Sequence, residues 1–132
     1  MANEAVCIET PTRFISRTIA DAAAVPIGSI MKLTSDNTCA LSTADNDVFA
    51  GIAWEEKTAN DGITKITLAL DGIWDLKYTA IASVAGAIVG IGGADNTISD
   101  SLAADVLQGS AVGKSEEDAN NTYGRVKVGY LC

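Results

Sequence analysis

The chain contains no histidine, and that absence removes more chemistry than any other feature of its 132 residues. Serine and cysteine triads, His-ligated zinc, two-His iron sites and most imidazole acid-base schemes all need the ring. Basic residues are also few, 9 Lys and Arg against 17 Asp and Glu, for a net charge of −8. A phosphate backbone needs a Lys/Arg footprint that such a chain cannot assemble, so nucleic acid is not an expected partner. Aromatics make up 5% and prolines number two. The core must therefore come from Ala, Val, Ile and Leu. The longest uncharged run, Tyr78 to Ala94, is 17 residues, at the short edge for a bilayer span and poor in Leu and Phe. A buried strand with its turns is expected there, and no membrane partner.

Cysteines are odd in number and widely spaced (Cys7, Cys39 and Cys132). This suggests neither a disulfide framework nor a zinc knuckle, and all three read as plain thiols in a reducing, cytosol-like compartment. The first residues lack the basic and apolar regions of a signal peptide, so the protein is expected to stay where it is made.

What is present is alternation. Lys65 to Leu70 places Ile66, Leu68 and Leu70 on one face, and Ile73 to Tyr78 does the same with Trp74, Leu76 and Tyr78. Between them, Asp71-Gly72 reads as a hairpin turn. Arg125 to Tyr130 alternates in the same style, and further strands are expected over residues 14–20, 29–34, 38–42, 49–57, 87–91, 97–99 and 110–114. The one helix signal is Ser99 to Gln108, which ends before Gly109.

The chain also resembles itself. Gly28 to Leu33 aligns with Gly86 to Ile91, and Asp36-Asn37-Thr38 with Asp95-Asn96-Thr97. Gly51-Ile52-Ala53 then aligns with Gly109-Ser110-Ala111, Glu55-Glu56 with Glu116-Glu117, and Lys65 to Leu68 with Arg125 to Val128. Five matches in order predict a duplicated β unit, approximately 25–72 and 84–129, closing into one barrel-like core. Residues 1–13 carry Pro11 and no period, and read as an N-terminal arm that is free or ordered only by a neighbour. Residues 14–132 are expected to form a single β domain.

Several segments imitate catalytic motifs. Gly109 to Ser115 has Gln108 where a phosphate loop needs its first glycine, and three acidic residues follow it. Gly90-Ile91-Gly92-Gly93 lacks the βαβ unit of a dinucleotide loop. Asp45-Asn46-Asp47 and Glu116-Glu117-Asp118 lack the spacing of a calcium loop. Asn120-Asn121-Thr122 fits a glycosylation sequon that matters only on secretion. No catalytic residue, cofactor or metal site is therefore expected. Phe14, Trp54 and Trp74 remain, as core filling or as subunit-contact anchors, with the two tryptophans expected on opposite edges of the central hairpin.

The succession of a polar arm, Val25-Pro26-Ile27-Gly28-Ser29-Ile30, Phe49-Ala50-Gly51-Ile52-Ala53, Ile66 to Trp74 and a closing Tyr123 to Val128 resembles the small capsid decoration (head cement) proteins of tailed phages. The likeness covers about residues 14 to 131, and a Gly-[Ile/Val]-Ala phrase occurs in it twice, the second time interrupted by Ser110. The resemblance implies an all-β barrel or β-tulip domain that trimerises on the outer surface of a virion. Its partner would be the major capsid protein, contacted by the arm, with no enzymatic activity. The rival expectation is a virion-displayed module that binds carbohydrate or a host surface through an exposed aromatic platform.

Overall fold

In a computed structural model, the chain is described over residues 3–45, 47–79, 84–92, 96–100, 109–118 and 122–129. The architecture is all-β, as the alternation predicts. Among the described residues eleven strands follow one another: β1 (Val6–Glu9), β2 (Phe14–Thr18), β3 (Ile30–Ser35), β4 (Thr38–Leu41), β5 (Phe49–Ala53), β6 (Lys65–Ala69), β7 (Gly72–Tyr78), β8 (Ile88–Ile91), β9 (Thr97–Asp100), β10 (Ala111–Ser115) and β11 (Tyr123–Val128). Every strand expected from period-two alternation is found. Where the helix was expected, Ser99 and Asp100 belong to β9, and residues 101–108 lie outside the described residues.

The two similar β units are found, but each closes on itself rather than joining its sibling in one barrel-like core. The N-terminal barrel runs β2-β4-β3-β5-β6, and β7, β9, β8, β10 and β11 form a second ring in the same order, with β1 added to β7. Both rings contain one parallel contact, β2 with β4 and β7 with β9, and are otherwise antiparallel. Small details repeat as well. Asn37 and Asn96 hold the same left-handed turn, at φ 48° and 59°. Glu55 accepts a hydrogen bond from the Thr67 amide at 2.9 Å, and Glu117 does the same from the Arg125 amide at 2.9 Å.

Strand register corrects the sequence alignment at three places, one being Glu55, which corresponds to Glu117 rather than to Glu116. Ile30 pairs with Ile52 as Ile88 pairs with Lys114, so Gly51 corresponds to Gly113 rather than to Gly109. Both glycines sit where neighbouring strands nearly touch: a Cβ on Gly51 would lie 2.8 Å from the Leu68 Cβ, and one on Gly113 2.3 Å from the Lys127 carbonyl oxygen. On β11 the match to Lys65 is Tyr123 rather than Arg125. That slip of two residues keeps every side chain on its own face, which is why the sequence could not reveal it.

The expected hairpin across Asp71-Gly72 is absent. β6 pairs with β2 and β5, while β7 pairs with β1, β9 and β11, so the two residues carry the chain from one barrel to the other. Asp71 is 5% exposed, and its carboxylate is fully engaged. It accepts from the Thr12 amide (2.8 Å), the Thr12 hydroxyl (2.6 Å) and the Arg13 amide (3.0 Å), while its backbone carbonyl accepts from the Trp74 indole N–H at 3.0 Å. The Asp71 side chain thus ties this crossover to the N-terminal segment.

The first residues are likewise not a loose arm. The Ala5 amide donates to the Gly28 carbonyl, and β1 pairs with β7 through Val6–Asp75, Cys7–Trp74 and Glu9–Ile73. Buried Asn96 fastens the same corner: its side chain accepts from the Ile30 amide (2.6 Å) and donates to the carbonyls of Asn3 (2.9 Å) and Gly28 (3.0 Å).

Two cores result. Ile19, Val25, Met31, Cys39, Ala50, Ala53, Ile66 and Leu68 fill the N-terminal barrel. Leu76, Tyr78, Val89, Ile91, Ile98, Val112, Val126 and Val128 fill the other, and this cluster also takes in Ile30, Ile52 and Ala69. These last three are cross-strand neighbours on the outside of the N-terminal barrel. β5 is therefore buried on both faces from Ala50 to Ala53 and reads as a continuous apolar run.

Two expected outcomes follow from these joints. Burial acts to raise the Asp71 carboxyl, but the Thr12 hydroxyl and the Arg13 and Thr12 amides outweigh it and hold the group below the usual carboxylate range. Its contribution is then complete at neutral pH and is lost as the pH falls below about 4. Asp71→Ala should cost about 2–3 kcal/mol at pH 7, and the difference from wild type should narrow towards pH 3, as read by urea unfolding at both pH values. A Cβ on Gly28 would meet the Ala5 carbonyl oxygen at 2.5 Å, whereas one on the equivalent Gly86 meets nothing within 4 Å, although both have φ near 90°. Gly28→Ala should therefore lower the melting temperature by several degrees more than Gly86→Ala, a gap of about 1 kcal/mol or more.

Candidate interaction surface

Phe14, Trp54 and Trp74 meet in one row. The Phe14 and Trp54 ring centroids lie 5.2 Å apart at 58°, and Trp54 meets Trp74 at 6.0 Å with an 84° edge-to-face angle. The expectation that the tryptophans occupy opposite edges is thus corrected: with β6 and β7 in different barrels, Trp54 and Trp74 face each other across the seam. The register places each ring. Phe14 continues the outward row Ile30–Ile52–Ala69 onto β2, and Trp74 points into the C-terminal barrel opposite Val126.

Exposure grades along the row. Trp74 is 2% exposed, Trp54 is half-buried and Phe14 is 43% exposed. Trp74 is thus a core residue held by its indole hydrogen bond, and Phe14 is the outer end of the seam. Trp74 offers no open flat face of the kind a sugar platform requires.

A second apolar feature lies on β1, where Val6 and Ile8 are 56% and 41% exposed. Sequence reasoning missed both because the segment has no alternating pattern of its own. The signal was present as two aliphatic residues bracketing Cys7. Beyond β1, Lys77 lies over the Tyr123 ring at 6.0 Å, and Tyr123 is itself exposed. Burial, joined by the charge of Glu4, pushes the Tyr123 phenol up.

Among the described residues, no three His, Cys, Asp or Glu side chains are grouped as a metal site would require. A cavity of about 320 Å³ beside Asp71 is lined by Glu9, Thr10, Thr12, Ile73 and Lys127, and its one buried carboxylate is already saturated by hydrogen bonds. Burial pushes the Cys7 thiol up and also the Cys39 thiol, against a smaller opposing effect of Arg17, which disfavours the reactive thiolate at both. Lys57, 3% exposed, spends its ammonium on the carbonyls of Asp21 (2.8 Å) and Thr58 (3.1 Å) and on the Asp61 carboxylate (2.9 Å), and so closes a loop of the N-terminal barrel. The surface offers strands, apolar side chains and charge.

No known family model matches the chain, and no curated protein is significantly similar to it.

The gradient of burial sets unequal costs for truncation. Trp74→Ala should destabilise the fold by about 3–5 kcal/mol, through cavity formation and an unpaired Asp71 carbonyl, whereas Phe14→Ala should cost about 1 kcal/mol. Chemical denaturation of the two variants, followed by far-ultraviolet circular dichroism, measures both.

Proposed function

We propose that this protein decorates and reinforces a phage capsid, binding the outer shell as a non-enzymatic cement, with the major capsid protein as its partner. The observation that carries the reading is β1. It is a short edge strand, paired only with β7 among the described residues, that turns Val6 and Ile8 outward. It is also rigidly mounted, by Ala5 on Gly28 at one end and by Thr12 and Arg13 on Asp71 at the other. An edge of this kind supplies backbone groups and apolar area to a neighbouring sheet without needing side-chain chemistry.

Cementing is then mechanical. Contacts that exist only on the assembled shell stabilise it by mass action, and many copies make modest individual contacts sufficient. The charge of −8 keeps free subunits apart until a complementary surface is met. On this reading the subunits act as trimers at the outer surface, after synthesis in the host cytoplasm.

Deleting residues 1–13 is a poor test, because it also removes the Asp71 clamp. Val6→Ser combined with Ile8→Ser leaves the backbone pairing and the clamp intact. Full-length protein should co-sediment saturably with expanded capsids lacking it and scatter light as a trimer. The double variant should bind at least about tenfold more weakly with an unchanged melting temperature, given about 1.5–3 kcal/mol for burying each aliphatic side chain. A monomer that ignores capsids sinks the proposal, and a displayed module binding carbohydrate or host surface then becomes the working reading.

A further inference from the structure

The duplication also identifies a place where a strand is missing. In the C-terminal barrel, β7 shares one edge between two partners: β9 takes Lys77 and Tyr78, and β1 takes Ile73 to Asp75. In the N-terminal barrel, β4 takes the equivalent of the first position, Thr18. Since Thr18 and Lys77 both pair with the threonine that follows the left-handed asparagine, the residues matching Ile73, Trp74 and Asp75 are Phe14, Ile15 and Ser16. Among the described residues, no strand pairs with that half of the β2 edge.

Backbone parity shows which groups face the gap. The Arg13 carbonyl accepts from the Leu70 amide and the Ile19 amide donates to the Thr64 carbonyl, so the odd residues of β2 address β6. The Thr18 amide donates to the Asn37 carbonyl on the opposite edge. Phe14 and Ser16, of the same parity as Thr18, therefore direct their N–H and C=O groups to the gap.

We propose that the Phe14–Ser16 edge of β2 receives a short extended segment of a different protein, running antiparallel to β2, apolar in its middle and acidic at its flanks. This goes beyond the capsid reading, since it holds for whichever assembly supplies the strand. The chemistry of the occupant is argued from three observations. The segment that fills the equivalent slot is Val6-Cys7-Ile8-Glu9, with Glu4 just ahead of it. Arg13 and Arg17 stand at the two ends of the gap in a chain with few cations; Arg13 is ion-paired with Asp71 at 3.8 Å, which leaves Arg17 as the cation for an incoming carboxylate. Among the described residues the buried Arg17 Nε has no hydrogen-bond partner, and its Nη1 reaches Asn37 only at 3.4 Å. An incoming carboxylate would satisfy that donor. Exposed Phe14, backed by Trp54, gives the strand an apolar anchor. A second copy is a poor occupant because its own β1 is already paired with β7.

The test uses a synthetic peptide with the sequence of residues 4–10, carrying Cys7→Ser to prevent disulfides, titrated into the full-length chain. Amide hydrogen exchange at Phe14 and Ser16 should be fast in the free protein and slow by about tenfold or more at saturation, with a change in Trp54 fluorescence. Raising the salt should weaken binding several-fold. Ser16→Pro removes an N–H that faces the gap, while Arg17→Gln keeps the backbone and loses the charge. Either variant, provided it melts like wild type, should bind the peptide at least about fivefold more weakly, by loss of a hydrogen bond or a charge. Three results overturn the proposal: no protection of either amide at millimolar peptide, protection confined to Ile73 and Asp75 through exchange with β1, or amides already protected in the free chain by a dimer that dissociates on dilution.

Discussion

One carboxylate anchors the point at which the chain passes from one barrel to the other. Asp71 stands where β6 would otherwise turn back onto itself as β7, and it is claimed by Thr12 and Arg13 from the far end of the sequence. Three hydrogen bonds to a largely buried carboxylate, each assisted by its charge, outweigh the desolvation of the group. Because the carbonyl of the same residue holds the Trp74 indole, the joint also fixes the first large side chain of the second core. Arm, first barrel and second barrel thus share one anchorage, and Asn96 supplies a second at the Gly28 corner. Between the two joints, the first thirteen residues become part of the double barrel.

Two copies of one unit are held in unlike surroundings. The turns at Asn37 and Asn96 have the same backbone, yet Asn37 is exposed while Asn96 is buried and makes three hydrogen bonds across the seam. The reason is topological. A five-stranded barrel of this size has little apolar volume, so the N-terminal unit also buries an outer row, Ile30, Ile52 and Ala69, against its sibling. Contact of that kind joins different faces of the two units. It cannot be symmetric, and it leaves one unit's turn and the other unit's corner without an internal counterpart.

Much of this was legible in the residues. Alternation located the strands, because side chains in a half-buried strand must obey period two, and the duplication could be read from the Gly28/Gly86 and Asn37/Asn96 turns, whose left-handed backbone restricts residue choice. Where backbone geometry does not discriminate, the reading slipped: Gly109 resembles Gly51 in sequence, but Gly113 occupies its place between strands. The Asp71-Gly72 turn misled because β7 finds its partners in β1, β9 and β11, and Asp71 its partners in Thr12 and Arg13, 59 and 58 residues away, none of which a local pattern contains. Phe14, Trp54 and Trp74 were recognisable as unusual residues in an aromatic-poor chain. That they form one row became visible only once the barrels were known to be separate.

An unpaired strand edge is ordinarily a hazard, and proteins shorten or charge such edges to prevent self-pairing. The Phe14–Ser16 edge has both safeguards, since it is three residues long and flanked by Arg13 and Arg17. Flanking cations repel another copy of the same edge, so two β2 edges cannot pair comfortably. They do not repel an acidic strand, and the chain's own β1, which is such a strand, is kept out of circulation by its pairing with β7. The arrangement therefore excludes the commonest wrong partner, the protein itself, while leaving the edge open to a foreign segment of opposite charge. A surface that only needed protection would have no use for a half-exposed phenylalanine seated on a tryptophan at the same place.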